Sequence, residues 1–346
     1  MGASPHDSLT ADWIGALQSV ADAQGYMSFE RFMAVALYHP ELGYYRRHRP
    51  RVGYAPGTDF YTASTSGAVF GELVCAAVCT LLGPKRPEGF HFVEIGAEPG
   101  QGVLRDVVHP FASYQSLPLG SELALHGPCI VFSNELFDAQ PFRRFVRRQG
   151  AWREVGVRLE DGRLAEAEVP VNPPAYLPGH ALEGYRIDAP EAAERLAAGL
   201  AREPWHGLFV AFDYGKSWDE LVHATPQGTA RAYHRHTQER DLLARPGDQD
   251  LTCHVCWDWL IRALNAQGFD RPTLQTQEAF FIKHAGTRIE AWLNTTTGVP
   301  PATKRSLMQL LHPAYLGQKF EVLAATREET KIALDSAPGR SLLSTL

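Results

Sequence analysis

Apolar residues at Trp13, Ile14, Leu17 and Val20, and again at Phe29, Phe32, Met33 and Leu37, recur at helical spacing. They predict two helices within 9–42, stopped by Pro40 and Gly43. From Val69 to Leu82 the chain is apolar on nearly every face, as in a buried helix, and Cys75 and Cys79 one turn apart read as core rather than metal ligands. Three short apolar runs read as strands instead: His91 to Ile95 entering Gly96, Cys129 to Ser133, and Leu208 to Phe212 behind a helical stretch over 190–201. Buried runs separated by helices predict an α/β fold with a parallel sheet covered on both faces. Between the second and third strands, Phe142 to Val169 alternates apolar and charged positions around Gln149-Gly150 and Asp161-Gly162, which predicts an inserted hairpin. After Gly215 the pattern gives a helix over 255–265, a strand at Phe280-Phe281-Ile282, a helix over 304–311 and a strand at Phe320 to Leu323. The run from Arg46 to Arg51 reads as a solvated basic loop.

Composition narrows the classes. With 346 residues, 45% hydrophobic and 21% charged, the chain supports a sizeable core and about two folding units. The expected division is an N-terminal helical region over 1–56, a core over 57–215 interrupted by the insertion at about 142–188, and an accessory α/β region over 216–346 that completes the core. A net charge of −6 offers no general cationic field for nucleic acid, and no apolar run reaches the 18 residues of a membrane span. Five cysteines and no charged-then-apolar leader lead us to expect a reducing, cytoplasmic location.

In an open parallel sheet, ligands gather at the carboxyl ends of the strands. The residues there are Gly96-Ala97-Glu98-Pro99-Gly100-Gln101-Gly102, Asn134-Glu135-Leu136-Phe137-Asp138 and Asp213-Tyr214-Gly215, a set of glycines and carboxylates. Glycines let a backbone approach a cofactor closely. Gly215-Lys216-Ser217 is not a phosphate-binding loop, because Val210 stands where its opening glycine must be. Tyr315 and Lys319 have the spacing of a dehydrogenase pair, but they flank Gly317 after Pro313, which is poor for one helix face. The single pair Cys253 and Cys256 lacks a second pair to complete a zinc site, and His234 and His236 have no evident partner ligands, so no metal is expected.

Ordered blocks along the chain resemble the MidA family of class I S-adenosylmethionine-dependent methyltransferases. They begin with Arg31-Phe32-Met33, Ala36-Leu37-Tyr38-His39-Pro40 and Gly43-Tyr44-Tyr45, then Asp59-Phe60-Tyr61-Thr62-Ala63 and Phe70-Gly71-Glu72. The most specific is Asn134-Glu135-Leu136-Phe137-Asp138-Ala139-Gln140-Pro141, followed by Asp213-Tyr214-Gly215, Tyr233-His234-Arg235-His236, Gln249-Asp250-Leu251-Thr252 and Leu316-Gly317. The resemblance implies a Rossmann-like sheet, S-adenosylmethionine as methyl donor and a protein arginine as acceptor. It implies that Asp59, Thr62, Glu94, Gly96, Gly100, Gly102 and Asn134 bind the donor. It also implies that Glu135 and Asp138 clamp the acceptor, Asp213 orients acceptor or donor, and His254 relays the released proton.

Two departures stand against the family pattern. The loop after Glu94 carries two extra residues, and Thr65 replaces a carboxylate. Only about 25 residues separate Leu104 from Cys129, too few for two helices and two strands, so a shortened sheet is expected, with Glu122 the only acidic residue late in the gap. A non-catalytic binding or assembly protein with a degenerate donor site is the alternative these departures raise.

Overall fold

The computed structural model describes residues 8–47, 49, 51, 53, 58–59, 63–98, 100–118, 120–294 and 298–329. Helix α1 (Ala11–Gln18) leads through strand β1 (Tyr26–Ser28) into α2 (Phe29–Tyr38), whose first turn is capped by the Ser28 hydroxyl accepting the Arg31 N–H. Helix α3 (Ala68–Leu82) precedes β2 (His91–Ile95), β3 (Ser113–Leu117) and β4 (Gly127–Asn134). An excursion follows through β5 (Arg143–Arg148), β6 (Ala151–Glu160), β7 (Arg163–Pro170) and β8 (Arg186–Ala189), and α4 (Glu191–Arg202) returns the chain to β9 (Trp205–Asp213). Next come β10 (Gly215–Lys216), α5 (Trp218–His223), β11 (Arg231–His234), β12 (Thr237–Glu239), β13 (Asp250–Thr252), β14 (Val255–Cys256) and α6 (Trp257–Asn265). The described chain closes with β15 (Asp270–Thr276), α7 (Gln277–Leu293), α8 (Pro301–Leu311) and β16 (Glu321–Arg327).

The central sheet runs β15-β16-β9-β4-β2-β3. Strands β3, β2, β4 and β9 are parallel, β16 runs antiparallel to β9, and β15, antiparallel to β16, again runs in the direction of the parallel set. Alternate residues face opposite layers, as strand geometry requires. Phe92, Phe132 and Phe212 pack under α3 and α7, whereas Val93, Val131 and Phe209 pack against Leu196, Leu200 and Leu260 of α4 and α6. Both faces of the sheet are therefore covered, as the apolar runs predict. The sheet is also short. A single strand, β3, fills the segment between β2 and β4, and no helix occurs there among the described residues.

The excursion forms a second, antiparallel sheet of order β1-β6-β5-β8 with β7 on the other side of β6. The N-terminal helices pack on it, with Trp13, Leu17, Phe29 and Phe32 in one apolar cluster with Phe142 and Val157. Strands β12, β11 and β13 form a small third sheet.

Three sequence expectations are corrected. Phe280-Phe281-Ile282 lies inside α7, because Gln277, Phe280, Phe281 and Ala285 are buried at helical spacing while Ile282 is 57% exposed. The helix expected from Val255 starts at Trp257, since Val255 and Cys256 pair with β10 instead. The basic run is not simply solvated, since Arg47, Arg49 and Arg51 pair with Asp248, Asp59 and Glu98. No helix among the described residues is long and apolar enough to cross a membrane.

Candidate active site

Beyond the end of β4 the backbone turns through Glu135 in the left-handed region, φ 53°, a conformation that costs a non-glycine residue energy and is held here by its N–H donating to the Phe212 carbonyl at 2.9 Å. Asp213, at the end of β9, fixes the rest of the turn. Its Oδ2 accepts the N–H groups of Phe137 (2.9 Å) and Asp138 (3.3 Å), and its Oδ1 accepts the Tyr214 N–H at 2.8 Å. The carbonyl of Asp138 in turn accepts the Cys253 N–H at 3.0 Å, tying this turn to the segment that carries His254.

These turns wall a cavity of about 370 Å³ whose lining includes Asp59, Glu135, Asp138, Asp250, Tyr214 and His254. Four carboxylates face one space with little solvent. Burial, then Asp213 and Asp250 nearby, pushes Glu135 well above the usual carboxylate range. Burial, then Asp213 and Glu135, does the same to Asp138. Burial raises Asp250 to about 7, although it accepts the Tyr45 hydroxyl at 2.9 Å. Asp59 has a counter-charge, accepting Arg49 at 2.9 Å and the Tyr44 hydroxyl at 2.8 Å. His254 is lowered to about 4 by burial and by Arg231 and Lys216, so it is neutral at pH 7, and its buried Nδ1 has no protein partner. Such a cavity suits a planar cation able to bridge carboxylates.

The glycine-rich loop is organised by Glu94. This buried carboxylate accepts the Val103 N–H at 2.7 Å and the Tyr114 hydroxyl at 2.5 Å, closing the loop onto the end of β2, and burial raises it to about 7. Gly96 and Gly100 adopt φ of 80° and 77°. A Cβ on Gly102 would fall 1.8 Å from the Tyr114 hydroxyl oxygen, so only glycine fits beneath that ring. Gly100 and Gly102 border a smaller cavity of about 180 Å³ together with Gly67 and Ala68 at the start of α3. Asn134 donates to Glu135 at 3.1 Å, and its buried Oδ1 has no protein partner.

The structure thus brings Glu135, Asp138 and His254 together in one cavity, with Asp213 behind them engaged by backbone rather than facing it. Asp59 joins the same cavity rather than the glycine-rich loop, around which Glu94, Gly100 and Gly102 gather. Thr62 lies outside the described residues, and Glu122 is exposed. Cys253 and Cys256 sit in different apolar clusters. The sequence reading assigned no role to Asp250, Tyr214, Tyr233 or His236, all of which line the acidic cavity; the signal was their place within the matched blocks at 213–215, 233–236 and 249–252.

Residues 105–274 match the family described as "Putative S-adenosyl-L-methionine-dependent methyltransferase", a span that takes in the acidic turn but starts beyond the loop glycines. Across more of the chain, a Danio rerio protein named protein arginine methyltransferase NDUFAF7, mitochondrial, is 23% identical over 88% of this chain and 84% of its own. Its Xenopus tropicalis namesake is 20% identical over 86% and 81%. The chain is similar to these methyltransferases over most of its length. The fold is shared with a solved structure of a COG1565 superfamily member from Burkholderia thailandensis bound to S-adenosyl-homocysteine, with TM-score 0.78, 24% identity and 98% and 100% of the two chains covered. A native structure of a COG1565 superfamily protein from the same organism gives TM-score 0.75 at 23% identity over 98% and 100%.

Proposed function

We propose that this MidA-like methyltransferase moves the methyl group of S-adenosylmethionine to a guanidinium nitrogen of a protein arginine. The observation that carries the acceptor is the cavity of four carboxylates, three of them held above their usual range by burial and mutual repulsion: a guanidinium supplies the missing positive charge. The names of the curated relatives support the same acceptor.

The loop residues suit the donor: Gly100 leaves backbone open to close approach, Gly96 and Gly102 let the loop pack on Leu136 and Tyr114, and the unpartnered Oδ1 of Asn134 is an acceptor for a donor amine. Bound there, S-adenosylmethionine supplies a sulfonium methyl that leaves its sulfur as an N–C bond forms on the acceptor. A protonated guanidinium has no lone pair to give, so Glu135 and Asp138 must orient it and withdraw charge as a proton departs. Their raised affinity for protons fits them to receive that proton, and neutral His254 beside them can carry it outward. Asp213 keeps the turn in shape. A non-catalytic scaffold is the less favoured reading, since Asp138 of the acidic turn is buried and the buried Glu94 closes the glycine-rich loop onto the end of β2.

Calorimetry with S-adenosylmethionine and S-adenosylhomocysteine, followed by mass spectrometry of arginine peptides incubated with the donor, tests this. Binding of both ligands with methylated arginine as product is expected. No binding up to millimolar ligand overturns the donor assignment, and donor binding with methylation only at another residue type overturns the acceptor.

A further inference from the structure

Arg51 ends the run that reads as a solvated basic loop, yet it is only 4% exposed. Its Nε and Nη2 hold the two carboxylate oxygens of Glu98 at 2.9 and 2.5 Å. Its Nη1 donates to the carbonyls of Tyr44 at 3.0 Å and Arg47 at 2.9 Å. The guanidinium also lies 5.6 and 5.5 Å from the ring centroids of Tyr44 and Tyr45. Four of its five N–H groups are therefore engaged, two of them by the backbone of its own segment, and the group cannot follow a moving partner.

Each end of this contact leads to a different part of the site. Glu98 stands in the glycine-rich loop, two residues after Gly96. The Tyr44 and Tyr45 hydroxyls donate to Asp59 and Asp250, two carboxylates of the acidic cavity. A loop containing glycines at positive φ has little stiffness of its own. A bidentate pair fixes direction as well as distance, and it is sensitive to loss of either member because the survivor is left as an uncompensated buried charge.

We propose that Arg51 is a positioning residue that sets the donor loop against the acceptor cavity, with Glu98 as the point by which the loop is held. The loop and the buried arginine then form one device, the Glu98 carboxylate having its partner outside the loop. This rests on the donor assignment above.

The test compares wild type with Glu98→Gln, which keeps shape and removes charge, Glu98→Asp, which keeps charge, and Arg51→Lys, which keeps charge and loses the fork. S-adenosylhomocysteine affinity is measured by calorimetry, and hydrogen exchange over 96–106 is followed with and without that ligand, with thermal melting to confirm folding. Glu98→Gln and Arg51→Lys are each expected to weaken binding about tenfold and to speed exchange in 96–106 over other strand-end loops. Glu98→Asp should recover part of the affinity, and the Glu98→Gln/Arg51→Lys double variant should bind no worse than the weaker single, since both break one contact. If Arg51→Lys does not fold, Glu98→Gln, at a partly exposed side chain, still decides. Wild-type affinity and exchange in folded Glu98→Gln, or additive losses in the double variant, overturn the positioning role and leave the donor assignment standing. A wild-type protein that binds no S-adenosylhomocysteine overturns the donor assignment, and this proposal with it.

Discussion

Glu135 and Asp138 are expensive residues for the empty protein. Each carboxylate has a folded-state affinity for protons above that of the unfolded chain, so the folded state keeps a proton that the unfolded state releases above about pH 4. Stability conferred by the protonated form is therefore complete below about pH 4 and is lost as pH rises toward the folded-state value. Asp138→Asn removes this loss. It should melt higher than wild type at pH 8 and alike at pH 4.5, while methyl transfer falls at least about hundredfold. Melting curves that differ equally at both pH values would exclude the explanation. Gly102→Ala addresses the other half of the site: the added methyl meets the Tyr114 hydroxyl, so S-adenosylhomocysteine binding should weaken by more than about tenfold, and the melting temperature should fall by a few degrees. Restored binding in a Gly102→Ala/Tyr114→Phe double variant would locate the clash.

At the scale of elements, legibility followed burial. The strands at 91–95, 129–133 and 208–212 are continuous apolar runs because both their faces are covered, and they stand out in the sequence for that reason. Strand β3 reads Ser-Tyr-Gln-Ser-Leu, at the sheet edge with only Leu117 buried, and gives no such signal. Strand β15 carries Pro272 and no buried position, again at an edge. The acidic turn was legible as strand-end carboxylates, but Asp250 and Tyr214 reach the cavity through tertiary packing that no local spacing encodes. The last strand supplies a test of how firmly such edges are held. Arg327, at the end of β16, is buried and donates to the carbonyls of Ala201, Gln267, Glu203 and Trp205 from three other segments, while burial lowers it to about 10. Arg327→Ala leaves those carbonyls without their donor and should cost about 3 kcal/mol, read from urea denaturation.

For the molecule as a whole, two sheets share the work: the central one carries the acidic turn and the glycine-rich loop at its strand ends, and the inserted one receives the N-terminal helices. Strand β1 takes the edge of β6 that β5 leaves free, pairing Ser28, Met27 and Tyr26 with Gly156, Val157 and Arg158. A chain lacking residues 1–28 should expose that edge together with Val157 and self-associate, which size-exclusion chromatography would show as material eluting ahead of the monomer.

The same pairing has a consequence for synthesis. Tyr26 leaves the ribosome more than a hundred residues before its partner Arg158 does. At roughly 5–20 residues per second, the first helices wait on the order of ten seconds with the apolar faces of Trp13, Phe29 and Phe32 uncovered. The start of the chain thus stays uncovered until the inserted sheet has been made, and the nascent polypeptide, rather than the finished protein, is where a chaperone would find it.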